Sequence, residues 1–107
     1  TRKCISGDFV ADSSQKMVEI NMAAYQWQFG YCSITVYEGQ RITINLKSLD
    51  VPHGMAIENI PQVNVFISPE TVSTISFEAT MKGEFTYYCI VFCGEGHPLH
   101  KGVLIVK

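Results

Sequence analysis

Apolar and polar residues alternate along most of this chain, with a period of two rather than 3.6. Val18, Ile20 and Met22 alternate with Glu19, Asn21 and Ala23, which predicts a half-buried strand. From Tyr25 the parity flips, and Tyr25, Trp27, Phe29 and Tyr31 take the odd positions. A one-residue flip predicts a bulge or bend near Ala23 and Ala24. Ile34 and Val36 continue briefly before Glu38-Gly39 turns the chain. Ile42, Ile44 and Leu46 against Arg41, Thr43, Asn45 and Lys47 form the cleanest amphipathic strand. Beyond a loop over 48–54, short strands are expected at 55–60 and 63–67, split by Pro61. Ser68-Pro69-Glu70 is a turn, and 71–79 is rich in β-branched residues with Ile75, Phe77 and Ala79 on one face. Phe85, Tyr87 and Cys89 share a face, and the uniformly apolar 103–106 predicts a strand buried on both sides. Residues 1–15 carry no pattern and read as an irregular lead-in to one domain over 16–107.

No segment sustains a helical period. About seven or eight short strands, with turns roughly every ten residues, predict an all-β antiparallel sandwich or barrel. In such folds, loops distant in sequence converge at one end.

One stretch breaks the alternation. Cys89-Ile90-Val91-Phe92-Cys93-Gly94-Glu95-Gly96-His97-Pro98-Leu99-His100 places two thiols and two imidazoles in a loop that Gly94, Gly96 and Pro98 keep irregular. With His53 upstream, the candidate ligands are His53, Cys89, Cys93, His97 and His100, which include every histidine of the chain. A lone turn histidine is usually just solvated; five soft donors together are not. Thiolate with imidazole suits copper or zinc, and the scarcity of carboxylates argues against magnesium or calcium. A closed zinc site needs four ligands and no fifth from another loop. A mononuclear blue-type copper uses one Cys and leaves the second over. Two thiolates four residues apart can instead bridge two coppers, each capped by an imidazole. A Cys89–Cys93 disulfide is the non-metal alternative, and it leaves three histidines unexplained.

Cys4 and Cys32 lie outside this loop. They form either a disulfide, which implies an oxidising compartment, or two unrelated thiols. The chain of 107 residues has a net charge of -2, which gives no nucleic-acid footprint. No apolar run approaches the roughly 18–20 residues of a membrane span, so any membrane attachment is expected through a segment absent from this chain. The lack of a signal peptide or initiator Met suggests a mature form or an excised soluble domain. Asp8, Asp12, Glu58 and Glu95 read as solvated charges, and no acid–base pair or nucleophile set for catalysis stands out.

These residues resemble the CuA domain of cytochrome c oxidase subunit II, a Greek-key cupredoxin. The resemblance runs from about Val18 to Lys107. It is carried by Gln26-Trp27-Gln28-Phe29-Gly30-Tyr31, Asp50-Val51-Pro52-His53, Cys-x3-Cys-Gly-x2-His and the closing Lys-Gly-Val-x-Ile-Val-Lys. It implies that Cys89 and Cys93 bridge two copper ions, that His53 and His97 cap one each, and that the backbone carbonyl of Val91 lies near the His97 copper. It implies that Trp27 is where electrons arrive; a core or rim aromatic is the plainer role for that residue. The implied donor is a c-type cytochrome or small copper protein, and the implied acceptor is a haem-bearing oxidase subunit, outside the cytoplasm. Two positions depart from the family: His100 stands where the family has Met, and Val91 where many members have a magnesium-binding Glu. A copper delivery or storage module, and the electron-transfer domain of a nitrous oxide reductase-like enzyme, are the alternatives.

Overall fold

The computed structural model describes residues 4–91, 94 and 100–107. Among them are ten strands and no helix: β1 (Gly7–Val10), β2 (Met17–Tyr25), β3 (Gln28–Phe29), β4 (Tyr31–Val36), β5 (Arg41–Ser48), β6 (His53–Ile57), β7 (Ile60–Ile67), β8 (Val72–Glu78), β9 (Gly83–Tyr88) and β10 (Lys101–Val106). One sheet runs β1-β4-β10-β9-β6-β7 and the other β3-β2-β5-β8. Inward side chains of both, including Ile20, Ile34, Ile44, Leu46, Phe77 and Leu104, join one apolar cluster. Burying each such side chain contributes about 1.5–3 kcal/mol before entropy is subtracted.

The expected all-β sandwich is the observed fold, with differences that have local causes. The sheets are mixed rather than wholly antiparallel: β1 and β10 each run parallel to β4, and β2 runs parallel to β5. Residues 1–15 are not all irregular, since Gly7–Val10 forms β1 and Ala11 is buried. As an edge strand with three of its positions exposed, β1 has no buried face to impose alternation. The segment is held by side-chain hydrogen bonds from Gln40 Nε2 to the carbonyls of Asp12 and Gln15.

The parity flip after Ala23 is a hairpin, not a bulge. Ala24 pairs with Phe29 and Tyr25 with Gln28, leaving Gln26-Trp27 as a two-residue turn. Ala24 and Phe29 are both buried, so the face is kept while the sequence parity changes. Pro61 lies inside β7 rather than between strands; β7 is the sheet edge, where a missing N–H is tolerated. In β10, Leu104 and Val106 are buried but Val103 and Ile105 only half so, which corrects the expectation of burial on both faces. Cys4 and Cys32 are joined by a disulfide with Cα atoms 5.6 Å apart, tying the N-terminal segment to β4.

Candidate metal centre

Three of the expected ligands meet at one end of the sandwich. His53 opens β6, Cys89 follows β9, and His100 precedes β10. The β9–β10 pairing brings the two ends of the Cys/His loop together, and the Cys89 N–H donates to the His100 carbonyl at 3.0 Å. The β6–β9 pairing carries His53 to the same place across thirty-six positions of sequence. Their ligand atoms all lie within 4.8 Å of one another. His53, Cys89 and His100 are all buried, at 0%, 5% and 1% exposure. Cys93 and His97 lie outside the described residues. The Val91 carbonyl oxygen is 3.1 Å from Cys89 Sγ, at the edge of the cluster.

Neighbours fix how each donor points. His53 Nε2 donates to Asp50 Oδ1 at 2.7 Å, because an ionised carboxylate can only accept. That leaves Nδ1 facing Cys89 Sγ, 3.9 Å away. A carboxylate behind the imidazole is the usual way to hold a metal-ligating histidine in one tautomer. The His100 ring packs on Phe29, with centroids 4.3 Å apart, and edge-on to His53 at 4.8 Å. Gly54 has no room for a side chain: an added Cβ would lie 2.5 Å from Ile90 Cγ1 and 2.9 Å from the Val65 carbonyl oxygen. That close approach presses the start of the Cys/His loop onto β6.

The electrostatics favour a metal-ready thiolate. Burial alone pushes the Cys89 thiol up, but hydrogen bonds from His100, His53 and the N–H groups of Gly54 and Val91 bring it down to about 4. Burial disfavours a charged His53, yet Cys89 and Asp50 outweigh it and hold His53 above its ordinary value. Burial also opposes charge on Asp50, and hydrogen bonds from Gln26, His53 and Val51 hold it below the usual carboxylate range. In the metal-free protein, thiolate absorbance assigned by difference against Cys89→Ser should persist as pH falls until about 4. An unfolded thiol ionises near 9.0, so Cys89 contributes stability in full above that pH. The contribution shrinks as pH falls from there toward the folded value. A thiolate signal already lost at neutral pH would contradict this assignment.

Trp27 sits at the tip of the β2–β3 hairpin and is 36% exposed. Its indole lies against the metal loop, since a Cβ on Gly94 would fall 2.9 Å from Trp27 Nε1. Gly94 also has φ of 122°, so glycine serves both needs there. The reading of the sequence assigned Asp50 no role; its place three residues before His53 was the available signal.

A buried thiolate with two imidazoles suits copper. No protein-family model matches the chain. The chain is 33% identical over 104 residues to cytochrome c oxidase subunit 2 of Thermus thermophilus, spanning 91% of this chain and 76% of that relative. It is 34% identical over 87 residues to nitrous-oxide reductase of Stutzerimonas stutzeri, which covers 78% of this chain but 13% of that protein. A chain of a heme-copper terminal oxidase dimer solved by cryo-EM superimposes with a TM-score of 0.80 and 29% identity, over 88% of this chain and 67% of that one. Other copper proteins share the sandwich at lower identity. The chain belongs to the cytochrome c oxidase subunit 2 family.

Proposed function

We propose that this domain is a one-electron relay. It holds two copper ions, accepts electrons from a c-type cytochrome or small copper protein, and passes them to a haem centre of a terminal oxidase outside the cytoplasm. The observation that carries the reading is the buried convergence of His53 Nδ1, Cys89 Sγ and His100. Cys89 and Cys93 would bridge the two ions, His53 and His97 would cap them, and His100 and the Val91 carbonyl would complete the set. Copper held there supplies a reversible one-electron couple.

The chain's own residues do the rest. Cys89 is already a thiolate at neutral pH, so it has no proton to lose when metal arrives. Asp50 keeps the His53 proton on Nε2 and its other nitrogen turned to the site. Phe29 and the buried rings of His53 and His100 keep bulk water away. Strands on either side of the loop hold the donors in one geometry, as preorganised ligation requires. EPR of the copper-loaded protein tests the count. Two copper ions sharing one unpaired electron give a seven-line pattern; a four-line mononuclear signal at full loading would defeat the paired reading.

Trp27 is the proposed point of electron uptake, supported by its contact with the metal loop and its partial exposure. Trp27→Phe should leave the copper spectrum nearly unchanged and slow reduction by the donor in stopped-flow mixing. An unchanged rate, with transfer shown to be limiting, would return Trp27 to a packing role. The similarity to nitrous-oxide reductase supports a second reading, in which the same relay feeds a catalytic centre on another domain.

A further inference from the structure

The carboxylate of Asp50 touches two structures at once. Oδ1 accepts from His53 Nε2 at 2.7 Å and from the Val51 N–H at 2.6 Å. Oδ2 accepts from the Gln26 N–H at 2.8 Å. Gln26 is the first residue of the two-residue turn whose second is Trp27. In such a turn the central N–H groups lie off the strand ladder and need a partner elsewhere. One carboxylate therefore spans the His53 imidazole and the backbone of the Trp27 turn.

We propose that Asp50 is a positioning residue that locks the Trp27 turn to His53, keeping the site of electron uptake and the metal in one register. The inference rests on the reading of Trp27 and His53 given above. Its mechanical part stands on geometry alone. A neutral partner would not serve equally. Asp50 has two oxygens, both acceptors, and uses one for each structure; a charged acceptor also shortens and strengthens both bonds. The seam has a second stitch, from the Leu49 N–H to the Ala24 carbonyl at 2.9 Å. Loss of the Asp50 side chain thus removes its hydrogen bonds to Gln26 and His53 without parting the loop from β2.

Asp50→Ala and Asp50→Asn separate the lock from a general structural role. By NMR of the metal-free protein, Asp50→Ala should speed hydrogen exchange of the Gln26 amide by roughly tenfold or more. It should also shift the Trp27 indole signal and mix the His53 tautomers, while the Ile44 amide in β5 keeps its protection. Asp50→Asn has one acceptor oxygen, so it should preserve either the Gln26 signal or the His53 tautomer and lose the other. Wild-type signals at Gln26 and Trp27 in Asp50→Ala, or at both partners in Asp50→Asn, would overturn the lock. In the copper-loaded protein, Trp27→Phe should slow electron uptake less in the Asp50→Ala background than in the wild type. An equal fold-change in both backgrounds would overturn the coupling. If the metal-free signals move as expected but His53→Ala keeps the native copper spectrum, the lock is supported and the reading of His53 as a ligand fails.

Discussion

Cys89→Ser should give a protein that still folds but has lost the paired copper site. The side chain is 5% exposed, and oxygen for sulfur is a small change in volume, so the β9 end should keep its packing. What disappears is the chemistry. A thiolate held at about 4 is a charged, soft donor at neutral pH; a serine hydroxyl is neutral and hard there. Under the bridging model this one sulfur contacts both metals, so its removal takes a ligand from each. The loss should exceed the roughly hundredfold in affinity that removal of an outer partner costs a metal site. Copper per chain by elemental analysis, with the sulfur-to-copper absorption bands, reads the result. Cys93→Ser should behave alike. Either variant keeping two coppers and the native spectrum would refute bridging.

The parts of this architecture legible in the sequence are those where one face is buried and the other is not. Ile42, Ile44 and Leu46 are buried with polar neighbours between them, so β5 declares itself by alternation alone. The convergence of His53, Cys89 and His100 was legible for a different reason. Five soft donors are scarce enough in one chain to be noticed together, even with His53 thirty-six positions from Cys89. Edge elements were not legible. β1 buries no face, and Pro61 disguises the start of β7, because an edge strand can forgo both alternation and one N–H.

The Trp27 hairpin was hidden by its own regularity. A two-residue turn preserves the buried face through Ala24 and Phe29 while reversing the strand, which in one dimension resembles a bulge. Strand direction was hidden as well. A strand parallel to its neighbour and one antiparallel to it present the same alternation, so the parallel β2–β5 pair emerges only when the long connections are traced. The double contact of Asp50 depends on that hairpin, and no spacing rule connects position 26 to position 50.

His100→Met should raise the reduction potential of the copper-loaded protein. His100 is 1% exposed, packs on Phe29, and has a ring nitrogen within 4.8 Å of both the His53 nitrogen and Cys89 Sγ. Placed there, it reaches the metal space rather than solvent. An imidazole is a harder donor than a thioether and binds Cu(II) more readily, whereas a thioether favours Cu(I). Replacing it by Met therefore removes stabilisation from the oxidised state, and the potential rises. Voltammetry of both proteins at one pH reads this directly, with the Met variant expected at the higher potential. Superimposable potentials would mean that His100, despite its buried place beside His53 and Cys89, is not a ligand.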